Sequence, residues 1–235
     1  MEELPAAPLP ERTTESVLQT WRRALTQPDE RTYAEIASSP RAKATTGFLW
    51  VFLASLVQIF LAALVQSFAF GNMAEMYGLD PEMFGPRSSM AVILTSAICA
   101  APIGAAITTL VFALVTFVVQ WLARMFGGTG SYDQLAYALA AIVAPYTILS
   151  AIGTLFSAVP YVGWCITVLF ALAGLYILVL EVMAVKGVNR IGWGAAIGSL
   201  LIPAVVIAVL CACLISATFA ALLPVIQENA PNFPR

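Results

Sequence analysis

Residues 164–185 read WCITVLFALAGLYILVLEVMAV, an apolar run in which Glu181 is the single charged side chain. A helix needs about 20 apolar residues to cross the hydrocarbon core of a bilayer. Inside lipid the backbone of such a segment must satisfy its own hydrogen bonds, and a helix does so. The run therefore predicts a transmembrane helix.

Four further runs of the same character lie along the chain. Hydrophobic residues make up 60% of the sequence and charged residues only 10%, a composition far more apolar than that of soluble domains. We therefore predict an all-α, polytopic integral membrane protein whose five-helix transmembrane bundle occupies residues 45–223, between tails at 1–44 and 224–235. The predicted spans are residues 45–70, 89–126, 134–157, 164–185 and 194–223.

The positions of the basic residues predict the orientation of these spans. Lys and Arg are enriched in the cytoplasmic loops of membrane proteins. With five spans, Arg87 and Arg235 fall on one side of the membrane, and the other nine of the eleven basic residues fall on the side of the N-terminus. We therefore predict a cytoplasmic N-terminal tail and a short outer C-terminal tail.

The N-terminal tail carries an amphipathic pattern. Val17, Leu18, Trp21 and Leu25 recur at helical spacing, and Pro28 ends the pattern. Such a segment suits a short helix that lies on the inner leaflet, with its apolar face in the interface. A mobile tail and a helix that docks on a partner are the alternatives.

The loop between the second and third predicted spans reads FGGTGSYDQ at residues 126–134. Its glycines suit a tight reversal, and Ser131 with Gln134 has the spacing of a capping box at the start of the next helix. A Walker lysine is missing, so the turn-and-cap interpretation is favoured over nucleotide binding. Contact with lipid headgroups is the second hypothesis for this face. Its candidate residues are Gly127, Gly128, Gly130, Ser131, Arg124, Glu181 and Arg190.

Glu181 is the single acidic residue inside a predicted span, and an intramembrane carboxylate is a functional hypothesis by default. It lies near the cytoplasmic end of its helix. One interpretation is that its side chain reaches the interface and pairs with Lys186, Arg190 or Arg124. The other is a proton or ion site, which would suit a transporter with Gln120 on the same path.

Small residues and prolines inside the spans predict close helix packing. Pro145 lies in the middle of the third span and favours a static kink. Rows of small residues at four-residue spacing let helices approach closely, either within one chain or between two copies in a homo- or hetero-oligomer. These rows contain Ala97, Ala101, Ala105 and Thr109, then Ala136, Ala140 and Ala144, and finally Gly194 and Gly198.

The composition also argues against several functions. Histidine is absent, so a Ser-His dyad cannot form. The four cysteines lie in spans, in a pattern that fits neither a disulfide framework nor a zinc site. A net charge of −2 does not suit a nucleic-acid surface. We therefore predict a protein that is not an enzyme, without metal or cofactor, whose main partner is the lipid bilayer.

Several motifs together resemble the Yip domain, the Ypt/Rab-interacting protein family, in its prokaryotic form. They are the 127–134 loop that opens a span with Pro145 in its middle, the Pro160-x-x-Gly163 turn, Tyr176 in the following span, and the tail element from Trp21 to Pro28 followed by Thr32 and Tyr33.

The resemblance implies an all-helical, five-span protein of the bacterial plasma membrane with a cytoplasmic N-terminal tail. Eukaryotic members are linked to Rab GTPases and vesicle traffic, and their cytoplasmic tails carry an Asp-Leu-Tyr-Gly-Pro-like motif. This tail has no glycine before Gly47, so a Rab-type partner does not carry over. The expected function is a membrane-organising or partner-binding scaffold, with a small-solute or lipid transporter as the alternative.

Overall fold

A computed structural model describes residues 16–76, 90–157, 159 and 161–229 of the chain. Within these residues it contains seven helices and no strand. Residues 1–15, 77–89, 158, 160 and 230–235 lie outside the described part, so the structure does not test predictions that fall on them. The helices are α1 (Val17–Thr26), α2 (Glu30–Ala37), α3 (Ala44–Met76), α4 (Met90–Met125), α5 (Tyr132–Ser157), α6 (Val162–Asn189) and α7 (Trp193–Asn229).

Five of these helices, α3 to α7, are long and apolar enough to cross a membrane. The predicted all-α fold with five spans is therefore confirmed. Residues 224–229, which we assigned to the outer tail, continue α7 as helix. The most apolar segments are Ala44–Gln66, Leu94–Met125, Tyr132–Ser157, Val162–Asn189 and Trp193–Thr218.

The α5 helix is the centre of the bundle. In its most apolar stretch 61% of the residues are buried, against 11% to 28% in the other four helices. Its row of Ala136, Ala140 and Ala144 is fully buried. A Cβ added to Gly47 of α3 would lie 3.0 Å from the Ala140 Cβ. Small side chains on both helices thus let α3 and α5 approach closely.

One end of the bundle is far better packed than the other. The first turns of α3, α5 and α7 and the last turns of α4 and α6 meet at this end, which we call the tail face. The hydrophobic core lies behind it and includes Val51, Val119, Leu135, Val185 and Ala196. In contrast, residues 204–209 and 211–218 of α7 are all exposed. Their apolar side chains suit contact with lipid rather than with protein.

The tail folds back onto the bundle. A capping box between Ser16 and Gln19 starts α1, and the turn at residues 27–29, which contains Pro28, separates it from α2. We call α1, this turn and α2 the tail hairpin. Its helices pack against α5 and α6. Thr20 and Ala24 of α1 are buried, and so are Tyr33 and Ile36 of α2.

Candidate functional site

The glycine-rich loop is locked onto the end of α6 by two buried amide side chains. The Gln120 Nε2 atom donates to the Gly130 carbonyl oxygen at 2.7 Å and to the Asn189 Oδ1 atom at 2.9 Å. The Asn189 Nδ2 atom donates in turn to the Val185 carbonyl oxygen. Gln120 is 3% exposed and Asn189 is 0% exposed. Gln120 and Asn189 form the amide lock, which joins α4, the loop and α6.

The loop glycines are required because the loop backbone lies directly against this lock. A Cβ added to Gly130 would lie 2.8 Å from the Asn189 Oδ1 atom, and one added to Gly128 would lie 2.7 Å from the Ala123 carbonyl oxygen. Gly127 has a φ of 88°, a conformation that favours glycine. Any larger side chain at Gly128 or Gly130 would push the loop away from α4 and α6.

The loop uses its own amide groups within the protein. The amide of Gly127 bonds the Arg124 carbonyl, that of Gly128 the Ala123 carbonyl, and that of Thr129 the Asn189 carbonyl. Ser131 and Gln134 cap each other reciprocally, so the predicted capping box is confirmed. Because these donors are engaged, the arrangement favours a packed turn over a phosphate-binding loop.

The tail hairpin is attached to the bundle by polar as well as aromatic contacts. The Tyr176 hydroxyl of α6 donates to the Leu25 carbonyl oxygen at 2.8 Å. The Trp21 ring meets the Trp50 ring edge to face, with 5.8 Å between centroids. Lys186 of α6 pairs with Glu30 of α2. The hairpin is therefore bound at several points rather than trailing from α3.

Tyr33 holds the two helices of the hairpin together. Its hydroxyl, in a fully buried side chain, donates to the Ala24 carbonyl oxygen at 2.7 Å. Burial, followed by the repulsion of Tyr176, raises the pKa of Tyr33 above its ordinary value of 10.0. The phenol therefore stays neutral in the folded protein, and its contribution to stability is lost only as the pH rises above 10.

Gly187 allows α2 to cross α6 in direct backbone contact. A Cβ at this position would lie 2.3 Å from the Glu30 carbonyl oxygen. The chain thus has a second glycine-dependent junction, besides the loop, at the tail face. Sequence reasoning missed Gly187, Glu30 and the role of Asn189. In the sequence, Gly187 and Asn189 are only a glycine and an amide near the end of a span. Their contact partners, Glu30 and Gln120, lie far away along the chain.

A pocket of about 280 Å³ opens beside this junction, between α2 and the turn that joins α6 to α7. Lys186 is one of the residues that line it, and its half-buried side chain places the Nζ atom 4.5 Å from the centroid of the Trp193 ring. Arg190 has a left-handed backbone with a φ of 56°. The lining residues are Glu30, Arg31, Ala34, Lys186, Gly187, Arg190 and Ile191.

The structure separates the residues that we grouped as one cytoplasmic-face site. Arg190 lines the pocket, whereas the Arg124 side chain is exposed at the end of α4 and is not part of the lining. Glu181 is half-buried in α6. The ion pair that we expected for it is not formed among the described residues, because Lys186 pairs with Glu30 instead.

The predicted packing residues also have different surroundings. Pro145 is buried in the continuous α5 helix. A Cβ at Gly194 would meet nothing within 4 Å, and one at Gly198 would come only within 3.8 Å of the Phe126 ring. Within the described chain, Gly194 and Gly198 therefore make no close helix contact, and their predicted role in packing between two copies stays a prediction. The buried face of α7 instead contains Ala196, Ser199 and Leu200.

The described residues contain no cluster of side chains that could form a metal site. No three His, Cys, Asp or Glu side chains come together there as a metal centre would require. The tail face contains two glycine-dependent junctions, the buried amide lock and a pocket lined by basic residues.

The comparison with protein families agrees with this architecture. The family model of the Yip1 domain matches residues 22–215, which extend from the middle of α1 into α7 and cover most of the chain. No curated protein and no solved structure matches the chain. A match of this extent covers the second half of α1, the helices α2 to α6 and the first part of α7. The chain belongs to the Yip1 domain family of membrane proteins.

Proposed function

We propose that the protein is a non-enzymatic, membrane-organising scaffold of a bacterial plasma membrane, with its tail face in the cytoplasm. The observation that carries this proposal is the position of the tail hairpin. Trp21 of α1 packs on Trp50, which lies six residues into α3, or about 9 Å along the helix axis. The amphipathic α1 helix is thus held beside the bundle near the start of α3, and we propose that this is the level where lipid headgroups meet acyl chains.

The outward face of α1 suits that position. Val17 is 38% exposed and Leu18 is 72% exposed, while Arg23 pairs with Glu35 at 2.6 Å. A helix with apolar side chains on one face and basic side chains on another inserts shallowly into an anionic leaflet. Because the bundle fixes α1 in place, the protein would expand one leaflet locally and so change its packing or curvature.

The transporter alternative is less well supported. A solute path was expected to include Gln120. Its Nε2 atom instead donates two hydrogen bonds within the protein, to the Gly130 carbonyl oxygen and to Asn189. Glu181 has no polar partner among the described residues, so it has no neighbour to pass a proton to. A single carboxylate of this kind makes a poor relay.

The orientation is tested by labelling single cysteines introduced into a cysteine-free background. A membrane-impermeant maleimide is expected to react at Thr129 and Arg190 only after the membrane is opened, and at Tyr161 in intact cells. All three side chains are exposed, so their accessibility depends on the side of the membrane. Labelling of Thr129 in intact cells would contradict the topology.

The scaffold function is tested by reconstitution into vesicles of phosphatidylethanolamine and phosphatidylglycerol. Increasing protein density is expected to reduce vesicle diameter, measured by electron cryo-microscopy, because an inserted amphipathic helix expands one leaflet. Leu18→Glu should weaken the effect, since it removes the apolar side chain that extends farthest from the hairpin. Thr26→Glu, at an exposed position of the same helix, is the matched control and should leave the effect unchanged.

The same vesicles distinguish a scaffold from a transporter. A pH-sensitive dye inside them is expected to show no proton flux above that of protein-free vesicles, and Glu181→Gln should change neither flux nor vesicle diameter. A flux that Glu181→Gln abolishes would favour transport over the scaffold proposal.

A further inference from the structure

We propose that the pocket between α2 and the α6–α7 turn binds the phosphate group of an anionic phospholipid headgroup. The pocket combines exposed cations, apolar lining residues and a position at the end of two membrane-spanning helices. This binding goes beyond the scaffold proposal and does not depend on it, because a transporter with the same tail face would bind the same headgroup.

Charge is the first argument. Three of the seven lining residues are basic, and Glu30 is the one acidic residue among them. Lys186 is already paired with Glu30 and lies over the Trp193 ring, whereas Arg31 and Arg190 are exposed. Asp29, next to the pocket in sequence, offsets part of this charge. The lining still has a net positive charge, and its two exposed guanidinium groups are of the kind that binds phosphate.

Position is the second argument. Arg190 and Ile191 lie in the turn between two predicted spans, and α7 begins at Trp193. Tryptophan is enriched at the membrane–water interface, where its ring lies at the headgroup level. Basic pockets between helices at this level are suited to phospholipid headgroups. The Ala34, Gly187 and Ile191 surfaces add apolar contact of the kind a glycerol backbone would use.

Size is the third argument. A volume of about 280 Å³ is slightly below the range of roughly 300–1,000 Å³ typical of small-molecule pockets. It suits a phosphate with its glycerol better than a nucleotide. The glycine-rich loop, our first candidate for headgroup contact, has its amides engaged within the protein, so the pocket is the better site at this face.

Native mass spectrometry of the full-length protein in neutral detergent tests the assignment. Phosphatidylglycerol is expected to bind more tightly than phosphatidylcholine. The double variant Arg31→Gln/Arg190→Gln should weaken phosphatidylglycerol binding by about tenfold or more, because each arginine contributes a charge-assisted hydrogen bond. Both side chains are exposed, so the unfolding midpoint without lipid should stay unchanged.

The matched control is Arg22→Gln/Arg124→Gln, which removes the same charge from exposed positions outside the pocket. It should alter binding by less than about twofold, since screened surface charges act weakly. If both double variants lose phosphatidylglycerol affinity equally, the lipid binds a diffuse basic surface and the assignment to this pocket is wrong. sn-Glycerol 3-phosphate at millimolar concentration should not displace the lipid. If it competes fully, the pocket binds a soluble phosphate and the lipid assignment is wrong.

Discussion

Replacing Gly187 by alanine is expected to loosen the tail hairpin from the bundle. The added Cβ would lie 2.3 Å from the Glu30 carbonyl oxygen and 3.1 Å from its carbonyl carbon, so the α2 backbone must move. Overpacking of this kind costs about 1–3 kcal/mol. If that cost falls on the docked state, the detached population rises about 5- to 160-fold. Trypsin cleavage after Arg31, followed in detergent under native conditions, should accelerate correspondingly.

Gly194→Ala is the matched control for this variant. Both glycines lie in a terminal turn of a helix, so both substitutions gain helix propensity, by at most about 0.5–1 kcal/mol. A Cβ at Gly194 meets nothing within 4 Å, however, so this variant should be neutral or slightly stabilising. Equal cleavage rates for the two variants would show that the hairpin does not depend on the backbone contact at Gly187.

The second large effect concerns the amide lock. Gln120→Leu leaves the Asn189 Oδ1 atom and the Gly130 carbonyl oxygen without their buried donor, and Asn189→Leu removes an acceptor from Gln120. An unsatisfied buried polar group costs about 1–3 kcal/mol. For a chain of 235 residues, each kcal/mol lowers the unfolding midpoint by about 2–4 °C. The unfolding midpoint of each variant, measured by thermal denaturation in detergent, should therefore be several degrees lower.

The double variant Gln120→Leu/Asn189→Leu separates the lock from general packing. It removes both side-chain partners at once, so its loss of stability should be smaller than the sum of the single losses. Gln66→Leu makes the same chemical change at an exposed position of α3 and should not lower the midpoint. Additive losses would mean that Gln120 and Asn189 act independently and that the lock is not a unit.

Features that depend on neighbouring residues could be predicted. Each span is specified by its own apolar run, because a helix in lipid satisfies its backbone within the segment. The capping box at Ser131 and Gln134 is equally local, since its two residues are three positions apart. The amphipathic pattern of Val17, Leu18, Trp21 and Leu25 likewise predicted the helix that the structure contains as α1.

The partners of these elements could not be predicted. Gln120 and Asn189 are 69 positions apart, and Tyr176 and Leu25 are 151 positions apart. Nothing in the apolar periodicity says which helix faces which, because most faces of a membrane helix are apolar. Gly194 and Gly198 show the consequence. Their spacing is compatible with close packing, yet Gly194 is open and it is Gly187 that lies against backbone.

The sequence by itself thus determined an all-helical chain with five membrane spans, because apolar length and backbone hydrogen bonding are properties of each segment alone. Only the tertiary structure decided that the tail hairpin folds back onto α5 and α6, that Lys186 pairs with Glu30 rather than with Glu181, and that Arg31 and Arg190 share one pocket. These outcomes depend on how helices distant in sequence meet. That is settled by the fit of small residues and buried amides across the whole bundle.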